Sequence, residues 1–110
     1  MTITPKRLCT AELTAATATY YTATSKKARI DAMTVTNTSV ATRTMSMWLV
    51  PNGASATDAN IVVKDKSIAP GASARILEAV NHWIDTDGTI QAVASAAGDL
   101  TLVASGVEQT

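Results

Sequence analysis

The residues of this 110-residue chain that could carry chemistry are few and stand far apart. The only histidine, His82, lies near Asp85, but no serine or cysteine nearby stands in a nucleophile motif. We therefore interpret His82 as a loop or interface residue. The only cysteine, Cys9, would need a lowered pKa to be reactive, and its cationic neighbours Lys6 and Arg7 are the groups that could lower it. The favoured interpretation of Cys9 is a small packed or arm residue.

Two short motifs resemble ligand or modification sites. The segment 85–88, Asp-Thr-Asp-Gly, resembles the start of a calcium loop, but the twelfth position is Ala96 where such a loop needs a glutamate. We expect a turn there, with Gly88 adopting a positive φ. Asn37-Thr38-Ser39 matches a glycosylation acceptor, but without a signal peptide it is interpreted as a turn. No nucleophile, base and orienting group can be assembled, so we expect no enzyme activity, no cofactor and no metal.

Composition restricts the partners. Nine basic and nine acidic residues give zero net charge, which disfavours nucleic-acid binding because that needs a basic stripe. No stretch is apolar enough to predict a membrane span, and a single cysteine allows no internal disulfide. Alanine and threonine supply 20 and 18 residues, so the core must be built from small side chains. We expect such a subunit to gain stability from self-association, most simply as a dimer or trimer.

The elements that must position these residues are short runs rich in Thr, Val, Ile and Ala, separated by turn motifs such as Gly98-Asp99. The pattern predicts an all-β chain: a single antiparallel β-sandwich or jelly roll of about seven to eight strands. Residues 1–13 are predicted to be an extended N-terminal arm lying against another subunit, and residues 14–110 to be the sandwich domain. The predicted strands are 17–23, 28–37, 42–50, 60–68, 73–80, 88–96 and 99–108. Trp48, in mid-strand, is expected to be mainly buried, as a large core residue, and Trp83, in a turn-rich segment, to be a lid or a partner contact.

From Ala28 to Glu108 the order of these motifs resembles small structural proteins of tailed bacteriophages. That group is typified by a "VTNTS" strand, an "LVP.G" turn, a "D.N.I" entry, a "SIAPG" turn, a "GDTIQA" strand and a closing "SGVE". The corresponding segments here are Val35–Ser39, Met47–Gly53, Thr57–Asn60, Lys66–Gly71, Asp87–Ala92 and Ser105–Glu108, with Asp87-Gly88 where the group often has Gly-Asp. The resemblance implies a β-sandwich component of the virion, used as a capsid decoration or cement protein or as a neck, collar, tail or fibre piece. It carries no catalytic residues.

The leading functional hypothesis is a virion protein, assembled in the host cytoplasm, that decorates or cements the capsid by contacts with the major capsid protein or other virion subunits. A neck, collar or tail subunit is the alternative within that class, and a carbohydrate- or cell-surface-binding module is the alternative outside it. Neither nucleic acid nor membrane is an expected partner. The expected interface residues are Trp83, Ile84, His82, Pro51, Asn52, Lys6 and Arg7.

Overall fold

The computed structural model describes residues 2–110, and Met1 of the predicted arm lies outside the described residues. Strands hold 58% of the residues against 3% in helix, which confirms the all-β class. The strands are β1 Ile3–Glu12, β2 Ala18–Thr22, β3 Lys27–Asn37, β4 Arg43–Val50, β5 Ile61–Ile68, β6 Ser73–Arg75, β7 Trp83–Ile84, β8 Thr89–Ala94 and β9 Leu100–Gln109. A 3-10 turn, Leu77–Ala79, follows β6 where the sequence predicted continuous strand to residue 80. None of the helical structure in residues 2–110 could span a membrane.

Two antiparallel sheets pack face to face, which confirms the predicted sandwich. Sheet 1 has the strand order β1-β9-β3-β6, with β7 also paired to β3. Sheet 2 has the order β2-β8-β4-β5. The described residues form about nine strands instead of seven or eight, because the sequence pattern predicted neither β1 nor the two-residue β7 as a strand of the sandwich.

The core follows the two-residue period of the strands. In β9, Leu100, Leu102 and Ala104 are buried and alternate with more exposed residues, because successive side chains of a strand point to opposite faces. In β8, Ile90 leads a buried series of which the other members are alanines. Small residues therefore allow the two sheets to approach, as the composition predicted.

The N-terminal segment belongs to the sandwich, so the prediction of a separate arm over residues 1–13 is wrong for the described part. Strand β1 pairs antiparallel with β9 from Ile3–Gln109 to Glu12–Thr101. Leu8, Cys9 and Leu13 are buried in the core. Sequence alternation failed to predict this strand because its register shifts between Arg7 and Cys9, which places two successive residues, Leu8 and Cys9, inside.

Trp48 is mainly buried, as predicted, but it lies on the outer face of sheet 2, so its expected place in the core is wrong. Met45 and Met47 of β4 are buried against the opposite sheet, and alternation then directs Trp48 to the outer face of sheet 2. There Trp48 lies opposite Gln91 on β8 and Ile61 on β5. The sandwich interior is narrow, and methionine fills it where a tryptophan was expected.

Asn37 organises the turn after β3. Its side chain is fully buried; its amide nitrogen donates to the carbonyl oxygens of Ala41 at 2.8 Å and Ile68 at 2.9 Å. Its amide oxygen accepts hydrogen bonds from the backbone N–H and the hydroxyl of Ser39 at 2.9 and 2.7 Å. The turn interpretation of 37–39 is confirmed, since this amide has all of its hydrogen-bond partners and no exposed nitrogen to modify.

Segment 85–88 is a turn, but the expectation about its glycine is wrong. The residue with positive φ is Asp87, at 63°, and its carboxylate accepts a hydrogen bond from the backbone N–H of Ser25 at 2.7 Å. Gly88 is needed for space instead, because a Cβ there would lie 3.0 Å from the carbonyl oxygen of Asp85 and 3.0 Å from Ile84 Cγ2. No group of three or more acidic, histidine or cysteine side chains is placed to hold a metal within residues 2–110.

Candidate interaction surface

The outer face of sheet 1 carries a row of four residues across four neighbouring strands, which we call the outer row. Pro5 of β1 pairs with Val107 of β9, Val107 pairs with Arg29 of β3, and Arg29 pairs with Trp83 of β7. Directly opposed residues of a sheet point to the same face, so the four side chains share one surface. Three of them are apolar, and their alignment is created by pairings between segments that are distant in sequence.

Trp83 is held in place on this surface while remaining 44% exposed. The guanidinium of Arg29 lies 5.7 Å from the centre of the Trp83 ring, within the range of a cation–π contact. Arg29 is fixed in turn by Asp31, whose carboxylate accepts a hydrogen bond from Arg29 Nε at 2.7 Å. An exposed tryptophan with restricted freedom is suited to binding, because less side-chain entropy is lost when a partner covers it.

Further exposed apolar groups and a shallow notch adjoin the outer row. Ile3, which is 53% exposed, lies two residues before Pro5 on the same face of β1. Val103 on β9 is 40% exposed. Beside Trp83 is a notch of about 270 Å³ lined by Lys27, Trp83, Asp85 and Gln109. The surface therefore combines apolar contacts with polar groups at one end, as protein interfaces do.

The structure separates the residues predicted to form an interface. His82 is exposed and lies next to Trp83, and its carbonyl oxygen accepts the Ile30 N–H at 3.1 Å. Ile84 is only 3% exposed and packs in the core, so its side chain is not available to a partner in this fold. Arg7 lies on the outer face of sheet 1 opposite Ser105.

Pro51 and Asn52 are exposed in the long loop between β4 and β5. Gly53 follows them with φ of 80°. The far end of the loop is ordered by Asn60, whose amide nitrogen donates to the Ser55 carbonyl at 2.9 Å. This loop joins β4 to β5 of sheet 2, whereas Trp83 belongs to sheet 1. The two predicted interface segments therefore belong to different sheets.

Lys6 is exposed and contacts a polar cluster whose centre is the buried Glu108, which was not among the predicted site residues. Glu108 is 7% exposed and accepts a short hydrogen bond at Oε2 from the Tyr21 hydroxyl of sheet 2. Its Oε1 lies 3.4 Å from Lys6 Nζ and 3.6 Å from Lys26 Nζ. The Tyr21 hydrogen bond and the two ammonium groups lower the pKa of Glu108, while burial and the adjacent carboxylate raise the pKa of Tyr21.

The signal for Glu108 was present in the sequence. Counting by twos from Leu100 through Leu102, Ala104 and Gly106 reaches Glu108 on the same, inward side of β9. The pairing of Arg29 with Trp83 could not be predicted, because it depends on β7 joining β3 across 54 positions of sequence.

Cys9 is a packed residue, as the favoured interpretation held. It is 8% exposed, and burial raises its pKa to about 11 despite a backbone hydrogen bond at Ala104 that acts in the opposite direction. A thiol with such a pKa is almost entirely protonated at neutral pH and is a poor nucleophile.

Comparison with known proteins finds likeness of fold only. No protein-family model matches the chain, and no curated protein matches it. Among solved structures, it is similar to a chain of the Bacillus endospore appendages, described as a family of disulfide-linked pili, with a TM-score of 0.56 and 17% identity over 99% of this chain and 88% of that one. It is also similar to a chain of infectious bursal disease virus, Gx strain, with a TM-score of 0.54 and 16% identity. That match covers 97% of this chain but only 31% of the viral chain, so this protein spans about a third of that chain's length.

Proposed function

We propose that this protein is a structural subunit of a virion and that it decorates or cements the capsid through contacts with neighbouring shell subunits. The observation that carries the proposal is the outer row, where Trp83 is exposed, held by Arg29, and aligned with Val107 of β9 and Pro5 of β1. A monomer gains little stability from an exposed, immobilised tryptophan, whereas a binding surface gains an anchor.

The two fold neighbours support a role in assembly. One comes from appendages described as pili and the other from a virus, and the matched part of each resembles this chain in fold, with TM-scores of 0.56 and 0.54. At 16–17% identity the likeness extends to the fold. It favours a class of function that needs shape and surface but no catalytic group.

The linkage described for the appendage family does not transfer to this fold. Cys9 is the only cysteine of the chain, and it is buried in the core. A disulfide between subunits would require Cys9 to leave its packing site. We therefore propose that the subunits are held by non-covalent contacts, as a homo-oligomer seated on the major capsid protein or other virion subunits.

The proposal is tested by stripping the protein from purified particles, adding it back and counting the copies bound per particle. Trp83→Ala should weaken rebinding by tenfold or more, since truncation of a central aromatic anchor typically costs about 2 kcal/mol or more. The matched control is Val40→Ala, because Val40 is also apolar and exposed, at 98%, but follows the Asn37 end of β3, whereas Arg29 lies near the Lys27 end of that strand. It should rebind like the wild type.

The number of bound copies distinguishes the locations. A fixed multiple of the shell symmetry supports decoration of the capsid. Six or twelve copies confined to the tail end would indicate a neck or tail role instead of capsid decoration. Absence of rebinding to both heads and tails would refute the proposal.

One observation favours a second candidate, a surface-binding module of the carbohydrate-recognising kind. Trp48, expected in the core, lies on the outer face of sheet 2 opposite Gln91. Ser46, two residues before it on β4, lines a shallow pocket of about 220 Å³ together with Asp65 and Ser95. An aromatic ring beside polar groups is a common arrangement for small-molecule recognition. Saturable quenching of tryptophan fluorescence by cell-surface sugars, lost in Trp48→Phe or Gln91→Ala, would support this candidate, and no response up to millimolar sugar would eliminate it.

A further inference from the structure

The outer half of β1 is attached to the sandwich differently from its inner half. Every side chain from Ile3 to Arg7 is exposed, whereas Leu8, Cys9 and Leu13 are buried. The register of β1 on β9 shifts between Arg7 and Cys9, at the boundary between the two halves. We call residues 2–7 the strap and residues 105–110 of β9, with which they pair, the seat. Only main-chain pairing and one ion pair hold the strap on its seat.

The hydrogen bonds between Thr2 and Thr110 fix the pattern of main-chain pairing between the strap and the seat. Thr2 and Thr110 exchange both backbone hydrogen bonds, at 3.4 and 3.0 Å. Because hydrogen-bonded and non-hydrogen-bonded pairs alternate along an antiparallel ladder, Pro5–Val107 is a non-hydrogen-bonded pair. The nitrogen of Pro5 therefore faces the free edge of the sheet, where it offers no N–H to a further strand. Addition of a strand outside β1 is thus blocked, whereas replacement of the strap by an identical strap is not.

The Glu108 carboxylate of the seat keeps two of its partners when the strap leaves. Glu108 would lose Lys6, but its other partners, the Tyr21 hydroxyl and the Lys26 ammonium, belong to β2 and to the residue before β3. The buried carboxylate would therefore not be left unpaired, which is the usual penalty for breaking such a cluster. The seat accommodates an incoming Lys6 because it already holds the chain's own Lys6, opposite Gly106 and 3.4 Å from Glu108 Oε1.

We infer that the strap exchanges between copies of this chain, so that residues 2–7 of one copy occupy the seat of another. The exchanged strap makes the same ladder and the same Lys6–Glu108 pair as it makes within its own chain, as in domain swapping. Six extended residues span roughly 20 Å, which is enough to cross to an adjacent subunit. The shifted register at Leu8 is the hinge, and residues 8–13 stay in their own core. This inference extends the proposed assembly role and rests on it.

The test uses paired cysteines in the full-length chain with Cys9→Ala as background. Ile3→Cys with Gln109→Cys places two thiols opposite each other within the strap and seat, and Thr10→Cys with Val103→Cys does so on the core side of the hinge. Alternation from the hydrogen-bonded Thr2–Thr110 pair makes Ile3–Gln109 a non-hydrogen-bonded pair. Beyond the register shift, alternation from Leu13, whose N–H donates to the Leu100 carbonyl oxygen at 2.8 Å, makes Thr10–Val103 one as well. Such pairs have the closer Cα spacing that suits a disulfide. Isotope-labelled and unlabelled chains are mixed at high concentration, oxidised, and examined by non-reducing electrophoresis and mass spectrometry.

The expected result is that the 3/109 pair links labelled to unlabelled chains, while the 10/103 pair closes only within single chains. Adding Lys6→Glu should reduce the interchain product of the 3/109 pair at least fivefold, because it places a second carboxylate against Glu108. Interchain product that survives Lys6→Glu would show random contact between frayed ends and would overturn the inference. Intrachain closure of both pairs at every concentration would also overturn it, while leaving particle binding, which is measured separately, to decide the proposed function.

Discussion

Gly106 is the position where one added carbon should be most damaging. It is buried in β9 opposite Ile30, at the place where the register of β3 shifts around Asp31. A Cβ on Gly106 would lie 1.8 Å from the carbonyl oxygen of Arg29 and 2.9 Å from its carbonyl carbon. The atoms it meets are backbone atoms, so no side-chain rotation can relieve the contact. Gly106→Ala must push β3 and β9 apart.

The size of the effect follows from that separation. Restoring ordinary van der Waals contact requires a shift of about 1.5 Å, which breaks the local hydrogen bonds between the two central strands of sheet 1. Overpacking alone costs about 1–3 kcal/mol, and each ladder bond lost contributes about 1 kcal/mol more. We expect a total of about 3–5 kcal/mol, a large fraction of the roughly 5–15 kcal/mol that stabilises a domain of this kind.

Thermal and urea unfolding of the purified variants provide the assay. At about 4 °C per kcal/mol, Gly106→Ala should lower the Tm by about 12 °C or more. Ser105→Ala, an exposed neighbour, should change stability by less than about 0.5 kcal/mol. Gly53→Ala should cost about 1 kcal/mol from its φ of 80° alone, since nothing lies within 4 Å of its Cβ position. A Gly106→Ala loss no larger than that of Gly53→Ala would refute the reasoning from close approach.

Three further predictions concern groups buried in the sandwich. Because the pKa of Glu108 is lower in the folded state, Glu108 stabilises the fold at pH values above its ordinary pKa of about 4.3. This stabilisation is lost as the pH falls through the lower, folded-state pKa. The free energy of unfolding should therefore fall between pH 7 and pH 3 in the wild type, and should fall less in Glu108→Gln. Asn37→Asp should cost about 3 kcal/mol in urea unfolding, because it removes the donors to Ala41 and Ile68 and buries a charge, whereas Thr38→Ala, at an exposed neighbour, should cost under about 1 kcal/mol. The Cys9 thiol should resist alkylation at pH 8 in the native state and react promptly in denaturant, and equal rates in both would contradict its burial.

The strands that sequence predicted well are those bounded by strong turn chemistry. Strands β3, β4, β5, β8 and β9 begin and end within two residues of their predicted bounds. The turn at Gly98, with φ of 78°, sets the start of β9, as its dipeptide signal indicated. Local signals succeed here because a turn residue and the two-residue period both act within a few positions of sequence.

What the sequence did not predict depends on contacts between distant segments. The place of β1 was missed because its shifted register breaks the alternation of buried and exposed residues. The outward position of Trp48 was missed because its large apolar side chain predicted a place in the core, whereas the alternation of β4 directs it outward. The candidate interface was predicted at Trp83 from residue type alone. Its other members, Arg29 and Val107, become neighbours of Trp83 only through the pairing of β7, β3 and β9.

The edges of both sheets limit how such a subunit can assemble. The free edge of β5 carries the charged run 64–66. Within it Asp65 adopts a φ of 49°, and its backbone N–H donates to the Ser46 hydroxyl oxygen at 2.9 Å in place of a main-chain partner on β4. The free edge of β1 is interrupted by Pro5. Charges, bulges and proline at edges are devices that prevent uncontrolled strand addition. A subunit with protected edges can still assemble by covering a face, such as the one that carries Trp83, or by exchanging a strand that is already paired, and those are the two modes that the outer row and the strap provide.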